Sequence, residues 1–166
     1  FLANIYLNYE DKPGLAIDYL KKLVNRYPRN NYYARALIRA YIEADRKVEA
    51  KLLVDRWRDE WNYKQGAVGD VMKEELNALT VEMNSPNGNL QQANASANVV
   101  DSLSSKLYGG YSRPNQHRAH YYLGVFQYEQ ENYKKARKSL EKIVDTDNKT
   151  SYSKEAQNLI KKIKNR

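Results

Sequence analysis

Two histidines, fifteen tyrosines and a surplus of cations are the residues through which this 166-residue chain could do chemistry. His117 and His120 stand three apart, which places two imidazoles on one helical face, but a zinc site needs a further ligand and none is written beside them. The pair is expected to be exposed or half-packed rather than a metal centre. Ser151 and Lys154 have the S-x-x-K spacing of serine acyl-transferases, yet the companion motifs are missing, and a serine before an apolar periodic run is expected to cap a helix. No glycine-rich phosphate loop and no H-E-x-x-H occurs. Carboxylates fall mainly in turns and on polar faces, so no acid–base pair stands out. With no cysteine, disulfides, thiolate nucleophiles and thiolate metal sites are excluded. The expectation is a chain that is not an enzyme, with no cofactor and no metal, and with little to hold a small-molecule substrate.

What remains is contact chemistry: tyrosine rings that cover area at low entropic cost, and arginine forks that fit carboxylates. Helices must position them. Apolar residues recur at i, i+3 and i+4 along most of the chain, and no apolar run approaches the roughly 18 residues that a membrane span needs. The pattern predicts helices over 1–9, 13–27, 31–44, 47–63, 66–83, 90–108, 115–130, 133–147 and 152–165, and no strand. Short polar turns (10–14, 43–47 and 129–132) separate them, and Pro28 closes a helix as proline should.

The helices repeat. Ala16 is followed by Leu20 at +4, Leu23 at +7 and Pro28 at +12, and 34 residues later Ala50 is followed by Val54 and Trp57 at the same offsets. Ala136 has Leu140 and Ile143 there, with Leu123 and Gly124 thirteen and twelve residues before it; Leu37 and Tyr41 precede Ala50 by thirteen and nine. Small residues let two antiparallel helices approach while the larger ones fill the seam, and one such hairpin cannot bury its own apolar face, so neighbours must stack. On these residues the chain resembles the tetratricopeptide repeat family. The resemblance implies an all-α, right-handed solenoid of antiparallel helical hairpins, each built of a helix A, a turn and a helix B. Departures are Ile38 where the family has glycine and Asn148 where it has proline.

The expected organisation is one helical-repeat domain over 1–166, with units at about 1–30, 31–64 and 117–150. An irregular hairpin over 65–116 breaks the register, and a capping helix spans 151–166. In the irregular hairpin, Val68, Val71, Met72, Leu76, Leu79 and Met83 form one apolar face and Ala93, Ala97, Val100, Leu103 and Leu107 the other. The polar, alanine-rich start of its second helix is expected to fray. Because FLANIYLNYE has no initiator Met and no signal-peptide pattern, the sequence is read as a piece of a longer chain.

The resemblance also implies a concave groove lined by helix A. It maps to Tyr32, Arg35 and Arg39 in one unit, to Arg118, Tyr121 and Tyr128 in another, and to Asn4 in the first. A partner protein or peptide is therefore expected there, as in a scaffold of the bacterial envelope type. That resemblance implies an exported periplasmic or lipoprotein setting in preference to the cytoplasm; the Asn-, Lys- and Tyr-rich composition fits an AT-rich bacterial genome, and the absence of cysteine fits either compartment. The alternative is a nucleic-acid-associated or anionic-surface module. The formal charge is +8, and 133–166 holds eleven Lys or Arg against four Asp or Glu. Lysine runs with few interleaved rings fit a solvated face better than a phosphate-reading groove.

Overall fold

The computed structural model describes residues 12–61, 67–109, 114–145 and 150–166. Among them are eight α-helices and no strand: α1 (Pro13–Arg26), α2 (Asn31–Glu43), α3 (Lys47–Trp61), α4 (Ala67–Asn84), α5 (Leu90–Tyr108), α6 (Pro114–Glu129), α7 (Tyr133–Val144) and α8 (Ser151–Lys164). The expected helix over 1–9, with Asn4, lies outside the described residues, as does Asn148. Each of the other expected helices is present within a few residues. The chain divides into two compact units, Phe1–Tyr63 and Lys64–Arg166.

In the first unit α2 packs against α1 on one side and α3 on the other. The expected repeat residues are the ones that close the seams: Ala16, Leu20, Leu37, Ile38, Ala50, Val54 and Trp57 are all buried. In the second unit α4 pairs with α5 and α6 with α7, while α6 also packs on α4, α5 and α8. One apolar cluster joins Ala78 and Val81 of α4, Ala93, Ala97 and Val100 of α5, and Ala119, Leu123 and Phe126 of α6. A second joins Leu140 and Ile143 of α7 to Ala156 and Ile160 of α8.

Local chemistry starts and stops these helices. The side chains of Asn30, Asn89 and Asn132 accept from Tyr32, Gln92 and Lys135 backbone N–H groups, capping α2, α5 and α7. The α2–α3 and α6–α7 turns share one geometry. Arg46 N–H donates to Tyr41 C=O at 2.8 Å and Asp45 N–H to Ile42 C=O at 3.0 Å; Asn132 donates to Gln127 at 2.9 Å and Glu131 to Tyr128 at 2.9 Å. Both are Schellman turns, with Asp45 and Glu131 at positive φ.

Several expectations are corrected. Thr150, not Ser151, precedes α8, its N–H donating to Ser153 Oγ at 3.1 Å. The start of α5 does not fray: Asn89 caps it, and Asn84 Oδ1 accepts from Asn89 N–H at 2.9 Å. Val71 points outward, 36% exposed, because it lies about 100° around α4 from the Met72, Leu76, Leu79 stripe. The histidines are buried rather than half-packed.

At the α6–α7 crossing, a Cβ added to Gly124 would stand 2.6 Å from Cγ and Cδ2 of Leu140, itself fully buried. Leu140 has no room to retreat. Gly124→Ala, Ala50→Leu and Ala136→Leu should therefore each destabilise by about 1–3 kcal/mol through overpacking. Urea denaturation checks this, and unchanged midpoints would mean that these positions are not at helix contacts.

Candidate interaction face

The helix A positions fall in both units. In the first, Tyr32 opens α2 half-exposed, edge-on to Tyr33 with centroids 5.8 Å apart, and Tyr33 in turn lies against Tyr27 at 6.0 Å. One turn apart on the same side of α2, Arg35 is partly buried and Arg39 exposed. Leu37 and Tyr41, on the opposite side of the helix, line a hollow of about 320 Å³ together with Lys21, Val24, Leu53 and Arg56 of the flanking helices.

In the second unit the corresponding residues are held by neighbouring helices. The Arg118 guanidinium lies 3.6 Å from Glu82 of α4 and donates to the Tyr152 hydroxyl of α8 at 3.3 Å, with its side chain 14% exposed. Burial works against its charge, but Tyr152, Glu82 and Glu75 outweigh that and raise its pKa. Tyr121 packs against Tyr122 and Tyr152, centroids 5.1 and 5.4 Å away, and Tyr122 meets Tyr152 at 6.0 Å. Burial raises the pKa of Tyr121, as does Glu155; burial and then Glu82, to which it is hydrogen-bonded, raise that of Tyr122. These hydroxyls stay protonated at neutral pH and serve as donors. Tyr128, two turns further along α6 on the side of Tyr121, forms with Tyr133 a slot that holds Arg166. The guanidinium carbon stands 5.1 and 4.9 Å from the two ring centroids, and the guanidinium donates to both hydroxyls, that of Tyr128 at 2.9 Å.

Sequence reasoning missed Tyr122, Tyr152, Glu75, Glu82 and Glu155. A signal for two of them was present. Tyr152 and Glu155 stand 34 residues after Arg118 and Tyr121, so the repeat register runs on into the helix read as a cap. The α4 carboxylates had no such signal, because the long hairpin before α6 breaks the register.

Behind this face lie buried polar pairs that pattern reading did not find. Glu74, buried in α4, accepts from Ser104 Oγ of α5 at 2.5 Å. His117 Nδ1 stands 2.7 Å from Thr150 Oγ1. Asp101 of α5 faces His120 Nε2 at 2.6 Å, Gln116 Nε2 at 3.0 Å and Lys142 Nζ at 3.2 Å, tying α5 to α6 and α7. A carboxylate orienting an imidazole resembles part of a catalytic triad, but His120 Nδ1 is buried without a hydrogen-bond partner. The pair ties α5 to α6. Among the described residues no three His, Asp or Glu side chains come together to hold a metal, and no helix is long and apolar enough to cross a membrane.

Residues 118–147, which take in most of α6, the turn and α7, match the family model of the tetratricopeptide repeat. No curated protein and no solved structure matches the chain.

Asp101 supplies a pH test. Burial alone would raise its pKa, but the His120 hydrogen bond and charge, with Gln116 and Lys142, hold it at about 2. A depressed carboxylate stabilises the fold above its unfolded pKa of about 3.9 and loses that contribution as pH falls toward 2. Asp101→Asn should cost roughly 1–2 kcal/mol at pH 7, discounted for partial exposure, with the deficit shrinking below pH 4. Urea titrations from pH 2 to pH 7 read this directly; a deficit independent of pH would mean that the carboxylate charge plays no part.

Proposed function

We propose that this helical-repeat protein of the tetratricopeptide type is a non-catalytic scaffold that takes a partner protein or peptide against the outward side chains of α6. The observation that carries the proposal is the tyrosine–arginine face of α6. Tyr121 and Tyr128 are only partly buried, and neighbouring rings fix them in place before any partner arrives. Fixed rings lose little entropy on binding, which is what a recognition surface needs. On α2 the exposed Tyr32 and Arg39 offer the same chemistry. The resemblance to bacterial envelope scaffolds favours an exported setting.

A second reading, an anionic surface or nucleic acid held by the C-terminal helices, draws on Lys134, Lys135 and Lys138 of α7 and Lys161, Lys162 and Lys164 of α8, all exposed. Tyr128 of α6 and Tyr133 of α7 already hold Arg166 between them. Affinity that falls steeply with added salt would favour this reading over the first.

Against a peptide selected from a displayed library, Tyr128→Ala should weaken binding by about 1–3 kcal/mol while leaving the thermal midpoint nearly unchanged. Calorimetric titration of purified protein makes the comparison. Failure to select any saturable binder, or an affinity untouched by the substitution, would remove the proposal.

A further inference from the structure

The α1–α2 corner of the first unit carries what the lysine-rich C-terminal helices lack, cations interleaved with exposed rings. From Tyr19 to Ile42 the chain holds six Lys or Arg and no Asp or Glu. Where α1 turns into α2, Arg26, Tyr27, Arg29, Asn31 and Tyr32 line an open hollow of about 760 Å³. Tyr27 and Tyr32 are 45% and 50% exposed, and both pack on Tyr33, whose ring centroid is 6.0 Å from the first and 5.8 Å from the second. The Arg26 guanidinium carbon lies 5.6 Å from the Tyr27 ring centroid. Arg26 and Arg29 are exposed, and neither makes an ion pair among the described residues. We infer that this corner binds single-stranded nucleic acid, with bases stacking on Tyr27 and Tyr32 and phosphates meeting Arg26 and Arg29.

The combination, and not the charge alone, favours that occupant. Tyrosine faces accept any unpaired base by stacking, while neighbouring cations follow the phosphates. An acidic protein segment would answer the charge but leave the rings unused, because a ring's negative face repels carboxylates. An anionic lipid surface is broad, and meets projecting apolar side chains rather than a hollow with Asn31 in its wall. A duplex keeps its bases paired and stacked on one another, so it can offer the corner only its phosphates. Since Tyr33 already braces both rings, little freedom is lost when a base settles on them. The corner lies in the first unit and shares no residue with the α6 face, so it stands or falls apart from the interaction reading.

Fluorescence polarisation with a fluorescein-labelled oligothymidylate tests this, beside the same strand in a duplex and a labelled oligoglutamate of equal length. The single strand should bind saturably, about tenfold more tightly than the oligoglutamate and more tightly than the duplex. Tyr27→Ala/Tyr32→Ala removes rings and no charge, and should weaken it about tenfold. Arg26→Gln/Arg29→Gln should weaken it too and flatten the fall of affinity with added salt. Lys161→Gln/Lys164→Gln on α8 removes equal charge elsewhere and should change the affinity by less than about twofold. Should the paired tyrosine variant fold poorly, because Tyr27 packs on Tyr33, Tyr32→Ala alone should weaken binding about threefold. Equal affinity for the oligoglutamate or the duplex, or binding undiminished by the tyrosine variants, would overturn the inference. A larger loss from the α8 lysines than from the rings would overturn it in favour of the lysine helices, and binding to phosphatidylserine vesicles in place of the strand would overturn it in favour of a lipid surface.

Discussion

The second unit depends on burying α6 on nearly every side. Its buried positions are His117, Ala119, His120, Leu123, Gly124, Phe126 and Gln127, which leave no purely polar stripe. A helix packed by α4, α5, α7 and α8 together cannot be apolar on one face only. Three of those buried residues are polar, and each faces a group on a neighbouring segment: Thr150 for His117, Asp101 for His120, and Ser139 Oγ, 2.8 Å from Gln127, which accepts its hydrogen. An unpaired buried polar group costs about 1–3 kcal/mol, so these pairs penalise any slip of α6 relative to α5, α7 or α8 more than apolar packing alone would. The side of α6 that remains carries Tyr121 and Tyr128, each packed against a neighbouring ring.

The repeat solves the same packing problem with different volumes. At the α6–α7 crossing glycine and leucine share the space, Gly124 and Leu140; at the corresponding positions of the first unit stand Ile38 and Val54, both buried. A larger residue on one helix accompanies a smaller one on the other. Ile38 thus stands where the second hairpin has Gly124, and with both Ile38 and Val54 buried the first crossing accommodates the larger combined volume. The turns are held closer: Asp45 and Glu131 both take positive φ, since the Schellman geometry fixes the backbone there whatever the side chain.

Fold was legible to the degree that it is periodic. Ala16, Ala50 and Ala136 with their +4 and +7 partners marked the seams, and all three alanines are fully buried. Glu74 and Asp101 were illegible for a physical reason. A carboxylate inside a core is recognised by what it pairs with, and its partners Ser104 and His120 lie 30 and 19 residues away on other helices. Thr150 was missed as the residue before α8 because Ser151 beside it has the same capping chemistry. The placing of Arg118, Tyr121 and Tyr128 along α6 was legible where the 34-residue register holds, and that of Tyr152 and Glu155 on α8 would have been had the register been carried on. Glu82, which meets Arg118 from α4, was not, because it lies beyond the break in register.

A central helix clamped by four others and by polar pairs should be the last part of the second unit to open. Native-state hydrogen exchange measures this residue by residue, through the free energy at which each amide becomes accessible. Amides of α6 between Ala119 and Phe126 should exchange only with global unfolding of that unit, their opening energy equal to the stability found by urea denaturation, while those at the end of α8 open at lower cost. Exchange of α6 through small local openings, at energies below those of α5 or α7, would contradict the account.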